Sequence, residues 1–377
     1  MDSTSLPKPV LISRPDALIQ MVNQLANEPI LAVDTESNSL YAFREQVCLI
    51  QFSTPQDDFL VDPLAMDDLS PLEGLFADKK IEKIFHAAEY DLISMKRDYG
   101  FIFENLFDTM IAARILGWEQ IGLGSLLKSE FDVELNKRYQ RANWGKRPIP
   151  PEMVNYARLD THYLIPLRFR LKNELLSQKR WPLAEEDFSR LRHINGRDPV
   201  DQPEPCWRVR GAYDLDPQQA AVLLELCVYR REVAESINRP VFKIISDQTL
   251  LGIAAICPRS ARELRNVPEL NPKQYQRHRD GLLRAIQAGL QSEPVYPPRS
   301  PKPDEAFLER LEALRNWRKV TGKQNNVKSD VILPRDVMFA IAASNPATME
   351  RLGEVMVQLP WRQQQYGEAI LGVLKSC

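Results

Sequence analysis

Residues 30–37 read Ile-Leu-Ala-Val-Asp-Thr-Glu-Ser, four apolar residues running straight into two acids. A short apolar run bounded by turn-forming residues has the pattern of a buried strand, here beginning after Pro29. Side chains at i and i+2 of a strand leave the same face, so Asp34 and Glu36 project together from its end. Two adjacent carboxylates repel unless a positive charge neutralises them. A divalent cation with hard oxygen ligands does that. A strand end that carries two surface acids has the same local sequence, so the rest of the chain must decide between them.

A buried strand demands a sheet around it. Val47–Ser53 and Phe59–Asp62 read as the next two strands, with a turn at Gln56-Asp57-Asp58. Three strands in quick succession predict an antiparallel meander. The spacing of Leu18, Ile19, Val22 and Leu25 predicts a helix over Asp16–Asn27, which Pro29 ends. Further on, the pattern predicts a short helix over Asp68–Phe76, a strand over Lys83–His86 and a helix over Ala88–Tyr99. Helices follow within Leu106–Leu116 after Asp108, over Leu123–Phe131, and through most of Pro150–Leu176, with a kink at Pro166. Hairpins followed by helix–strand alternation make a mixed sheet with helices packed on it.

Beyond this the character changes. Asp198–Pro205 holds three prolines and few apolar residues, and Ser292–Pro303 holds five; both read as linkers. Pro217–Leu290 and Glu305–Lys375 are helical throughout, the former with turns near Asn238-Arg239-Pro240, Cys257-Pro258 and Asn271-Pro272. The two segments share an order of elements. Charge divides with them: residues 1–206 hold 24 Lys+Arg and 32 Asp+Glu, a net −8, and residues 207–377 hold 25 and 19, a net +6. A basic half suits a polyanion.

The five cysteines are scattered without a CxxC pair, which predicts reduced thiols in a cytoplasmic setting and argues against a zinc site. Met1–Val10 lacks the basic and apolar regions of a signal peptide, and no apolar run approaches a membrane span.

Further chemistry sits in two places. Asp91, in His86-Ala-Ala-Glu-Tyr-Asp91, falls in the first turn of a helix that follows a strand. That position also suits an acid that merely favours the helix dipole. In Tyr156-Ala-Arg-Leu-Asp160 the phenol and the carboxylate are i and i+4, on one helical face, after a proline-led helix start at Pro150-Pro151. A phenol one turn from a carboxylate can hold a water against a carboxylate-bound metal; a tyrosine packed beside an exposed acid has the same spacing.

Taken jointly, the four acids and the tyrosine resemble ribonuclease D-type exonucleases, in the tyrosine-bearing (DEDDy) branch of the DEDD superfamily. The supporting stretches are Val33-Asp-Thr-Glu36, Val47-Cys-Leu-Ile-Gln51, Phe85-His-Ala-Ala-Glu-Tyr-Asp91, Phe107-Asp-Thr109, Ala142-Asn-Trp-Gly-Lys-Arg-Pro148 and Tyr156-Ala-Arg-Leu-Asp-Thr-His-Tyr-Leu164. The chain departs from related enzymes in having Asn143 before Trp144, where they often have aspartate; the four acids are untouched. Residues 207–290 and 304–377 resemble HRDC domains, the small helical modules shared by ribonuclease D-type enzymes and some helicases.

The resemblance implies an α/β ribonuclease H-like exonuclease domain, residues 1–200, followed by two all-α HRDC-like domains, residues 207–291 and 304–377. It implies a 3′–5′ exoribonuclease acting on tRNA precursors and other structured RNA 3′ ends, cytoplasmic, with no membrane and no stable protein partner. The cofactors implied are two divalent ions, Mg²⁺ or Mn²⁺, with Asp34 bridging, Glu36 and Asp160 on the nucleophile side and Asp91 on the other. Tyr156 orients the attacking water. Candidate substrate contacts are His86 at the terminal nucleotide, Trp144 and Tyr41 stacking on bases, and Arg147 with Lys146 on phosphate; core packing or ordinary surface charge are the competing readings for each. A DNA-directed exonuclease and a non-catalytic nucleic-acid-binding protein remain as alternatives, the latter opposed by the intact acid set.

Overall fold

The computed structural model describes residues 6–195, 206–298 and 303–377. Six strands, β1 (Val10–Ile12), β2 (Ile30–Ser37), β3 (Val47–Ser53), β4 (Asp58–Val61), β5 (Glu82–Phe85) and β6 (Leu106–Asp108), make one sheet in the order β1-β4-β3-β2-β5-β6. The meander β2-β3-β4 is antiparallel as expected, and the remaining pairs are parallel. Eight helices accompany the sheet: α1 (Pro15–Leu25), α2 (Glu73–Ala77), α3 (Glu89–Tyr99), α4 (Thr109–Leu116), α5 (Leu123–Phe131), α6 (Pro151–His162), α7 (Leu164–Ser177) and α8 (Trp181–Leu191).

The apolar run of β2 is unbroken because both faces are covered. Leu31 and Val33 enter one hydrophobic core with α1, α2 and α3; Ile30 and Ala32 enter another with α4, α7 and α8. From Asp34 onward the strand is only half-buried. Strands β1 and β6 escape the sequence pattern, being three residues each and too short to display a period. The break expected at Pro166 falls at Tyr163, between α6 and α7. A proline ring clashes with the carbonyl four residues earlier, here that of His162, so the disruption lies upstream of the proline.

The described chain divides into two compact units. The first combines the sheet and its helices with the second helical module: α14 (Glu305–Gln324), α15 (Ser329–Ile332), α16 (Arg335–Ser344), α17 (Met349–Val355) and α18 (Pro360–Lys375). Arg362 of α18 is fully buried against α8, its guanidinium donating to Glu186 Oε2 (2.9 Å), Asp187 Oδ2 (2.9 Å) and the Val331 carbonyl.

The second unit holds the first module, α9 (Pro217–Ser236), α10 (Val241–Ile244), α11 (Asp247–Ile256), α12 (Ala261–Arg265) and α13 (Pro272–Gln291), together with the β2–β3 loop Asn38–Gln46. Its turns fall where the sequence puts them: Asn238 and Cys257 take left-handed backbone, and Asn271 caps α13. The two modules repeat element by element, α9 and α14 both 20 residues, α11 and α16 both 10.

One cysteine pair departs from expectation. Cys206 and Cys227 are buried together with Cα atoms 6.4 Å apart, within disulfide reach. They are 21 residues apart in sequence, and only the fold-back of the segment before α9 brings them together. The linker expected at Asp198–Pro205 lies outside the described residues, as do residues 299–302 of the second. No described helix is long and apolar enough to cross a membrane.

Candidate active site

Strand β2 delivers Asp34 and Glu36 from one face, as its period requires, and a register shift after Glu36 ends regular pairing there. Helix α6 packs across β2, β3 and β4 and brings Asp160 over the same strand end. Its placement is pinned next door: Thr161 Oγ1 lies 2.7 Å from Ser53 Oγ, and His162 Nδ1 lies 2.9 Å from Asp58 Oδ2. Ligand atoms of Asp34, Glu36 and Asp160 all fall within 4.8 Å of one another.

Asp91 arrives separately, on the first turn of α3. The Thr35 hydroxyl, from the residue between the two strand acids, donates to its Oδ1. Asp91 is outside the group of three, yet close enough for its charge to act on Glu36 and Asp160.

Burial and mutual repulsion push these acids up together. Asp34 and Asp91 stand well above the usual carboxylate range, first from burial and then from a neighbouring carboxylate, Asp160 for the former and Asp34 for the latter. Glu36 is raised by burial and then by Asp34, Asp160 and Asp91. Asp160 is pushed up to about 8 by burial, although a hydrogen bond from Tyr156 opposes the shift. Such a cluster cannot carry four full charges by itself. The donor set fits divalent cations: hard carboxylate oxygens converge, and Gln51, cross-strand from Asp34 and fully buried, has neither side-chain amide atom hydrogen-bonded. A buried amide without a partner points to an ion or water site beside it.

Asp34, Glu36 and Asp160 line a cavity of about 540 Å³, within the size range of small-ligand pockets. Its walls include Thr35, His86, Tyr156, the Gly122–Ser125 segment at the start of α5, Lys137 and Gln140. His86 therefore lines the same cavity as Asp34, Glu36 and Asp160. Lys137 and Gln140 were not foreseen; they lie in a short 3₁₀ turn, and nothing in Lys137-Arg-Tyr-Gln140 marks them apart from other surface residues.

Three other candidates are elsewhere. Trp144 is 1% exposed and packs on the Tyr156 ring at 6.2 Å, so it offers no face to a base. Arg147 spends all five N–H groups within the protein: on both Asp62 oxygens (2.6 and 2.7 Å) and on the carbonyls of Cys48, Trp144 and Lys146. It clamps the loop before α6 and has no donor left for phosphate. Tyr41 lies in the Asn38–Gln46 loop of the second unit, with Lys243 Nζ 4.1 Å from its ring centre.

A 3′-5′ exonuclease family model matches residues 9–176, and an HRDC domain model matches residues 219–286 and 307–374. Ribonuclease D of Desulfotalea psychrophila is 31% identical over 294 residues, covering 78% of this chain and 78% of that protein. The chain belongs to the ribonuclease D family. Ribonuclease D of Pseudomonas paraeruginosa is 29% identical over 96% of this chain and 97% of its own length. The crystal structure of Escherichia coli RNase D, an exoribonuclease involved in structured RNA processing, shares the fold with a TM-score of 0.73, 22% identity and coverage of 98% of this chain and 99% of that one. Family membership and the acid cluster make this ribonuclease D-family chain a metal-dependent 3′–5′ exoribonuclease.

Proposed function

We propose that the enzyme removes nucleotides one at a time from the 3′ ends of structured RNAs, tRNA precursors among them, with two divalent ions, Mg²⁺ or Mn²⁺. The convergence of carboxylates from β2 and α6 on one cavity, with Asp91 of α3 hydrogen-bonded by Thr35 between the two strand acids, carries this reading. Paired ions, when bound, acidify the attacking water and stabilise the departing 3′-oxygen. Asp34, Glu36 and Asp160 form one group of ligands, and Asp91, held by Thr35, supplies the second.

Tyr156 acts as an orienting group. Burial and the surrounding carboxylates push its phenol far above the ordinary value in the metal-free protein, which suits a hydroxyl that keeps its proton and positions the water. Its ring is wedged between Tyr139 and Trp144, with centroids at 5.6 and 6.2 Å, which directs the hydroxyl at Asp160. Lys137 and Gln140 bring donors to the cavity for the oxygens of the scissile phosphate. In this reading residues 1–200 cut, the basic excess of residues 207–377 attracts the body of the RNA, and the enzyme works in the cytoplasm.

The test uses the full chain with matched RNA and DNA strands and a hairpin RNA bearing a 3′ overhang, in Mg²⁺. Mononucleotides should leave stepwise from the RNA 3′ end, and EDTA or Asp34→Asn should stop this. Internal cleavage would overturn the exonuclease reading, and equal digestion of DNA would overturn the RNA assignment.

A further inference from the structure

The hydrogen bonds around His86 occupy one ring nitrogen and leave the other unused, and the residue lines the cavity. His86 Nδ1 lies 2.9 Å from Thr109 Oγ1, and that hydroxyl donates to the Phe85 carbonyl at 3.2 Å. A threonine hydroxyl has a single proton. In the arrangement that satisfies both contacts at once, Thr109 donates to Phe85 and accepts from His86, which assigns the imidazole proton to Nδ1. In the neutral ring Nε2 is then a bare acceptor. Burial lowers the imidazole below its ordinary value against the pull of Asp108, which keeps the ring neutral at physiological pH.

The backbone beneath the ring is held as firmly. The Asp108 carboxylate accepts N–H bonds from Ala87 (3.2 Å), Ala88 (2.7 Å), Met110 (2.8 Å) and Ile111 (3.0 Å). It fixes the turn in which Ala87 takes left-handed backbone, φ 61°.

His86 shares the cavity with Asp34, Glu36, Tyr156 and Asp160. A bare nitrogen lone pair repels a phosphate oxygen, which also only accepts. Base donors differ from one nucleotide to the next, and an enzyme that removes every nucleotide cannot depend on them. The donors common to all ribonucleotides are the ribose hydroxyls. We propose that His86 Nε2 accepts a hydrogen bond from a ribose hydroxyl of the 3′-terminal nucleotide, making His86 a specificity-determining residue for RNA ends. This rests on the exoribonuclease reading above.

The test uses short RNAs identical except at the last nucleotide, which is ribo, 2′-deoxy or 3′-deoxy, in single-turnover removal of that nucleotide. Wild type should prefer the ribo end over one of the two deoxy ends by about 10-fold, the value of one hydrogen bond, and which end suffers identifies the hydroxyl. His86→Ala should bring that ratio to about one. Thr109→Val should lower it and Thr109→Ser should restore it. Calorimetric affinities for adenosine 5′-monophosphate and its 2′- and 3′-deoxy forms give the same comparison without turnover. A wild type indifferent to both hydroxyls, or a His86→Ala variant that slows all three ends equally, overturns the assignment while leaving the exonuclease reading intact. No nucleotide release from any end removes both.

Discussion

The second helical module is fastened to the catalytic unit by a buried ion pair, and breaking it tests how far that module is part of the nuclease. The perturbation is Arg362→Met, which keeps an unbranched apolar stem and removes the guanidinium and its charge. Arg362 is 0% exposed and makes four guanidinium hydrogen bonds, to Glu186 (2.9 Å), Asp187 (2.9 Å) and twice to the Val331 carbonyl (3.2 and 3.0 Å). Glu186 does a second job. It accepts from the backbone N–H groups of Trp361 and Arg362 at the start of α18, where Leu359 has no side chain able to cap. Removing the guanidinium strands Glu186, which is 7% exposed and already raised by burial, with Arg362 as the main opposing influence.

Breaking a buried pair from one side costs about 3–5 kcal/mol, which lowers the unfolding midpoint by roughly 6–20 °C for a body of this size. The deficit depends on pH. With Arg362 gone, the folded-state pKa of Glu186 rises further above its unfolded value, so the folded state holds the proton more tightly. The associated stability is present at low pH and is lost as pH rises through the folded pKa. The gap to wild type should therefore widen from pH 5 to pH 8. Adding Glu186→Gln keeps an acceptor for the α18 N–H groups and removes the stranded charge, so the double variant should regain stability over Arg362→Met. The assay is calorimetric unfolding in EDTA at three pH values. A midpoint within about 2 °C of wild type at pH 8, or a double variant no better than the single, would show that the pair does not hold the module.

Other expectations follow from the site. Asp34→Asn and Asp160→Asn should abolish nucleotide release yet raise the melting temperature of the metal-free protein, since each relieves repulsion among buried acids; a lowered metal-free midpoint would count against the crowding. Tyr156→Phe should slow single-turnover hydrolysis by roughly 10²–10⁴-fold with RNA affinity little changed, and an unaltered rate would return the tyrosine to packing. Asp160 is raised to about 8 in the fold from an ordinary 3.8, so the metal-free protein should lose stability as pH climbs between those values. Mg²⁺, which binds the deprotonated acids, should therefore stabilise more at pH 8 than at pH 6, and a pH-independent thermal shift would contradict this.

Much of the site was readable in the chain because its elements are local. The two-residue period of a strand puts Asp34 and Glu36 on one face, and the helical repeat does the same for Tyr156 and Asp160. The turn residues of the modules, Asn238, Cys257 and Asn271, likewise act within their own few residues. Tertiary structure decided whatever depended on distant partners. Trp144 and Arg147 look in sequence like residues waiting for a nucleic acid, but burial against Tyr156 and the two oxygens of Asp62 take them for the fold. The three residues of β6 become a strand because β5 lies alongside, and Asp108 and Thr109 at its end then fix the loop that carries His86 and leads into Asp91. Cys206 meets Cys227, and Glu186 caps a helix whose first residue, Pro360, lies 174 positions on, only once the chain has folded back. A periodic pattern records which face of an element is apolar; which atoms from elsewhere meet that face is settled by packing in three dimensions.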